Sequence, residues 1–113
     1  MKATVNLEGL HRREEAVKHF NDLTPSEAER LAVLLEEMGE AQQAIGKILR
    51  HGYGSLHPAE MDGLDNRERL EKEIGDVLAA IEMMTNVEDL NTTHIDKRRR
   101  QKHRNVQKYL HHQ

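Results

Sequence analysis

A chain of 113 residues, 36% apolar and 33% charged, with net charge −3 and no cysteine, has room for one small domain (1–113) with a thin core. The missing cysteines exclude disulfides, zinc–thiolate sites and thiol nucleophiles, and no run of about 18 apolar residues exists to make a transmembrane helix. Only Phe20, Tyr53 and Tyr109 are aromatic, so the core must be built from Leu, Ile, Val, Met and Ala, which favours helices over a sheet.

The opening "MKATVNLEGLHRREE" lacks the apolar centre of a signal peptide, and a soluble, cytoplasmic protein is expected. A first helix is predicted from about Leu7 to Phe20, with Leu7, Leu10, Val17 and Phe20 on a loose apolar stripe. "NDLTPSEAERL" then restarts the helix: Thr24 reads as the N-cap, Pro25 as the first helical residue, and Glu27 completes a capping box. This second helix runs to about Arg50. Its apolar seam is Leu31, Leu34, Leu35, Met38, Ala41, Ile45, Ile48 and Leu49, a mix of three and four spacings. "HGYGSLHPAEMDGLDN", rich in Gly, reads as a loop. A third helix begins near Asn66, read as its N-cap, and carries Leu70, Ile74, Val77, Leu78, Ile81 and Met84, with Met83 and Met84 as core. After "TNVEDLNTT" a last helix spans about Thr93 to Leu110. The expectation is an all-α, four-helix bundle. A second helix of about 26 residues, roughly 39 Å long, has more apolar seam than one monomer can cover, so subunits are expected to bury the rest together.

The carboxylates break the bland pattern. Glu36, Glu37 and Glu40 crowd one side of the second helix, although like charges at this spacing destabilise it. Glu73 and Asp76, three apart, flank the seam of the third helix. If the two helices pack antiparallel, these groups converge. Two carboxylates about 5 Å apart repel by roughly 3 kcal/mol at an effective dielectric near 20, so such a cluster either takes up protons or recruits a cation. Oxygen ligands without His or Cys suit a hard ion, Mg²⁺ or Mn²⁺. The competing reading is a solvated Glu-rich face. Gly39 and Gly75, each in mid-helix inside a cluster, favour the site, because a missing side chain leaves room for close helix approach or for a metal and its waters.

"EEMGE" (Glu36, Glu37, Glu40) followed by "EIGD" (Glu73, Asp76) resembles the paired EExxE and ExxD motifs of the MazG-like nucleoside triphosphate pyrophosphohydrolases, an all-α superfamily that includes dimeric dUTPases and dCTP pyrophosphatases. The resemblance covers about residues 24 to 110. It implies that Glu37, Glu40, Glu73 and Asp76 bind Mg²⁺, and that Glu36 serves a further metal or the attacking water, with Glu36 and Glu37 as the catalytic pair. It also implies hydrolysis of an NTP or dNTP to the monophosphate and pyrophosphate by a dimer or tetramer. The 32 residues between Glu40 and Glu73 make a longer gap than is usual there, with the excess in the 51–66 loop.

Four further residues are candidates for substrate binding. Lys47 continues the acidic face and would hold a phosphate. Tyr53 would stack on a base, with His51 or His57 as bonding partners. Lys102 and Asn105 match the positions from which family members contact the triphosphate. Against each stands a plain solvated or loop side chain. The rival function is a non-enzymatic helical module binding nucleic acid through the basic residues 97–108. A carboxylate-bridged di-iron bundle would need ExxH pairs; Glu8 and His11 have that spacing, but the other pair ends in Asp76.

Overall fold

A computed structural model describes residues 20–112. Helix α1 spans Pro25–His51, α2 Asn66–Asn86 and α3 Thr92–Val106, and a 3₁₀ turn, Gln107–Tyr109, continues α3. The helix expected over residues 7 to 20, with Glu8 and His11, lies outside the described residues apart from Phe20, which is fully exposed in a turn. Three helices of the expected four-helix bundle are thus described, and the described residues contain no strand beyond an isolated bridge between Leu56 and Asp65.

The start of α1 forms as its sequence dictates. The Thr24 hydroxyl accepts from the Glu27 N–H at 3.1 Å, and the Glu27 carboxylate accepts from the Thr24 N–H at 2.8 Å. The helix ends at Gly52, whose φ of +86° suits a residue without a side chain and whose N–H donates to the Ile48 carbonyl at 2.7 Å. The cap of α2 corrects the sequence reading, for it is Asp65 and not Asn66. Asp65 accepts from the Glu68 N–H at 2.8 Å, and Glu68 accepts from the Asp65 N–H at 3.0 Å. Asp and Asn are equally good caps, and the Glu three residues on decides between them. Asn66 is instead buried, its Nδ2 donating to the Gly52 carbonyl at 3.1 Å, which ties the start of α2 to the end of α1. Asn91 caps α3, accepting from the His94 N–H at 3.0 Å, and regular helix ends at Val106, four residues short of the expected Leu110.

Helices α1 and α2 form an antiparallel pair. Asn66 and Gly52 join one end, and Arg30 and Asp89 the other. Packing among the described elements is concentrated between these two helices, while α3 packs chiefly on its own 3₁₀ continuation. Each helix of the pair turns one stripe inward. On α1 it is Leu34, Glu37, Ala41, Ala44 and Ile48; on α2 it is Leu70, Glu73, Val77, Ala80 and Met84, all buried or half-buried. Both stripes alternate three and four spacings, as interdigitating helices require. Met84 is 1% exposed and anchors the core, but Met83 is 37% exposed, which corrects its assignment to the core. The single seam expected on α1 divides in two. Leu31, Leu35, Met38, Ile45 and Leu49 form an outer stripe, matched on α2 by Ile74 and Leu78, and all seven are exposed. The radius of gyration, 19.2 Å, exceeds the roughly 13 Å of a compact 100-residue domain.

Candidate metal centre

The inner stripes carry an anomaly. Glu37 and Glu73 occupy register positions that every other member of the stripe fills with an apolar side chain. One turn away on each helix, Glu40 and Asp76 point the same way. One oxygen from each of Glu37, Glu40, Glu73 and Asp76 lies within 4.8 Å of all the others, so the structure brings together four of the five clustered carboxylates. Glu36 stands outside this quartet and is exposed. The helix pair fixes the arrangement: spacings of three place both acids of each helix on one side, and antiparallel packing sets the two pairs face to face.

These carboxylates are not at ease. Glu37 Oε2 and Glu73 Oε2 are buried with no hydrogen-bond partner among the described residues, although buried acceptors are normally satisfied. Burial first, then the charges of Asp76 and Glu73, push the Glu37 carboxyl above the ordinary glutamate range. Glu40 is also raised, chiefly because it shares a hydrogen bond with Glu73 and secondarily through the charge of Glu37. Protons here do what a cation would do more completely. Four hard oxygen donors without nitrogen or sulfur fit a divalent cation such as Mg²⁺ or Mn²⁺. The glycines play a smaller part than expected. A methyl group at Gly39 or Gly75 would meet nothing within 4 Å, so neither is a point of close helix approach among the described residues.

The quartet separates two cavities. A polar one of about 290 Å³ is lined by Glu40 and Glu73 together with Gln43, Lys47, Asn66 and Lys72, and by Glu60, Asp62 and Arg69. An apolar one lies on the other side, where Glu37 and Asp76 meet Val33, Ala79, Ala80 and Met83. Lys47 therefore lies beside the carboxylates, one wall of the polar cavity. It also lines a further cavity with His51, Ser55, Leu56 and His57. Tyr53 lines none of these. Its ring carries the Arg67 guanidinium 4.3 Å above its centre, which occupies one face. Lys102 and Asn105 are exposed on α3 and line none of these cavities. Arg69, Lys72 and Asn66, the last expected only as a helix cap, join the site through the cavity they line. The signal for Arg69 was there: it lies four residues before Glu73, on the same helix side.

The model of the MazG nucleotide pyrophosphohydrolase domain family matches residues 26–109, from the first turn of α1 through the 3₁₀ turn. No curated protein and no solved structure matches the chain.

Proposed function

We propose that this chain, which belongs to the MazG nucleotide pyrophosphohydrolase domain family, hydrolyses a nucleoside or deoxynucleoside triphosphate to the monophosphate and pyrophosphate in a Mg²⁺-dependent reaction. The observation that carries the reading is the pair of oxygens on Glu37 and Glu73 buried with no hydrogen-bond partner among the described residues, inside a quartet that opens onto a cavity lined by Lys47. An acidic helix face that merely met solvent would not bury such atoms without partners.

Glu37, Glu40, Glu73 and Asp76 would hold the ion. When bound, a divalent cation supplies charge neutralisation of the phosphates and a fixed orientation for them. The remaining work falls to side chains. Glu36, exposed beside the quartet, and Glu37 are the groups that would position the attacking water and take its proton. The water oxygen bonds to the α-phosphorus, the bridging bond to the β-phosphate breaks, and the β and γ phosphates leave together. Lys47 would hold phosphate oxygens in the polar cavity. Tyr53 would offer a base the ring face that Arg67 leaves uncovered. Lys102 and Asn105, which line none of the cavities beside the quartet, would reach a triphosphate from a second copy in a dimer or tetramer. The outer apolar stripes of α1 and α2 supply a reason for such a second copy.

The test is an assay of the eight common NTPs and dNTPs with Mg²⁺ in ¹⁸O-labelled water. Pyrophosphate with a labelled monophosphate is the expected product pair; orthophosphate with a diphosphate would falsify the reading.

A further inference from the structure

The lining of the polar cavity includes an arrangement that the carboxylate quartet does not require. Arg69, on the first turns of α2, reaches back to the loop before it and holds two acids at once. One terminal nitrogen pairs with Glu60, and the other lies 2.5 Å from Asp62 Oδ1. All three residues line the cavity that contains Glu40, Glu73 and Lys47. Met61, between the two acids, is 97% exposed, and the Glu60 N–H donates to the His57 carbonyl at 3.1 Å. Asp62 is set in place by the Leu64 N–H, which donates to the same Oδ1 at 3.1 Å, and by Gly63 at φ +73°. The Arg69 side chain is mostly covered, yet its Nε is buried with no acceptor among the described residues. A guanidinium fork suits two oxygens of one anion better than two separate carboxylates, and ion pairs with exposed acids are held weakly.

Resting on the pyrophosphohydrolase reading above, we propose that Arg69 binds the terminal phosphates of the substrate, and that Glu60 and Asp62 occupy it as stand-in anions until the polyphosphate displaces them. The acids thereby screen the cavity against singly charged anions, which cannot compete with two carboxylates at once. A polyphosphate brings more charge and more acceptor oxygens, including some for the orphaned Nε once the segment swings aside. Arg69 would then complete, from α2, the phosphate grip that Lys47 begins from α1.

The test uses the 113-residue chain with Mg²⁺ and inorganic pyrophosphate as the probe, measured by calorimetry. Removing the competitors in E60Q/D62N should tighten pyrophosphate binding about tenfold, while R69M should weaken it by roughly tenfold or more. Circular dichroism checks that R69M folds; should it not, E60Q/D62N retains Arg69 and carries the prediction alone. Unchanged or weaker pyrophosphate binding by E60Q/D62N, in an enzyme that turns over a nucleoside triphosphate, would overturn the displaceable pair and leave the proposed reaction standing. Tighter binding in a protein that hydrolyses no nucleotide would support the pair and sink the reaction instead.

Discussion

Arg30 and Asp89, 59 residues apart in sequence, clasp the end of the helix pair remote from the loop: Arg30 Nε lies 2.5 Å from Asp89 Oδ2, and a terminal nitrogen lies 3.2 Å from Oδ1. Both side chains are largely covered, at 22% and 13% exposure, and Asp89 lines a small apolar cavity with Leu31, Met84 and Leu90. Two-point contact ties the residues just after α2 to α1 at this end of the pair. Removing Asp89 takes a carboxylate away from a largely covered guanidinium. Asp89→Ala should therefore cost about 1–3 kcal/mol in urea denaturation, below the range for fully buried pairs because some water reaches this one. Asp89 is remote from the chemistry, so turnover of the folded fraction should change little.

The quartet should respond oppositely in stability and in activity. Glu40→Gln or Asp76→Asn removes one negative charge from a crowded group, so the metal-free protein should melt at a higher temperature than the unaltered chain. The same change removes an ion ligand, and Mg²⁺-dependent turnover should fall by roughly a hundredfold or more, beyond the loss seen when only supporting partners of a metal site are altered. Helical content by circular dichroism should stay constant. Full activity in both variants would show that the four carboxylates are not the metal site.

Protons and metal compete for the same oxygens, which gives stability a pH signature. The carboxyls of Glu37 and Glu40 are raised in the folded chain, by burial in the first case and by the hydrogen bond with Glu73 in the second. A carboxylate with a raised folded pKa contributes stability that is complete below its unfolded value, near 4.5, and is lost as pH rises through the folded value. Without metal, the melting temperature should fall as pH climbs above about 4.5. With saturating Mg²⁺ it should rise over the same window, because the ligands bind only when deprotonated. Parallel curves with and without Mg²⁺ would sink the linkage.

The carboxylates and the capping box at Thr24 were legible because both follow from spacing along one helix. What lay beyond the sequence depended on the partner each residue meets. Leu34 and Leu35 look alike in a helical pattern, yet the first faces α2 and the second faces outward. Periodicity measures the width of an apolar stripe and not how many neighbours share it. Tyr53 read as a base platform because nothing in "HGYGS" indicates that Arg67, fourteen residues later, covers its ring. Nothing near Arg69 in sequence marks its partners, since Glu60 and Asp62 belong to a loop whose path no local rule fixes.

The outer stripe makes a claim about assembly. Leu35, Leu49 and Leu78 are 75%, 82% and 60% exposed, at spacings that suit a facing helix pair. A second copy offers the same stripe in return, as a two-fold interface requires. Sedimentation at micromolar concentration should show a species larger than 13.1 kDa. Leu35→Glu with Leu78→Glu should shift it toward the monomer and lower activity together, whereas a folded, active monomer of the unaltered chain would contradict the assembly.

If subunits share sites, Lys102 should act across the interface, because it lies on α3 and lines none of the cavities beside the quartet of its own chain. Two inactive variants then become informative in combination. Glu40→Gln damages the metal centre, and Lys102→Ala damages the grip on the triphosphate. In a dimer mixed at equal ratio, half of the particles pair one variant with the other. Each such particle holds one site in which the intact Glu40 of one subunit meets the intact Lys102 of its partner, and a second site broken twice. About a quarter of all sites should therefore be whole. Co-unfolding and refolding the two inactive variants should restore about that fraction of the unaltered turnover, with a KM close to that of the unaltered enzyme. Mixtures no more active than their components would place Lys102 outside the neighbouring site, and its function would then have to be sought on the exposed face of α3.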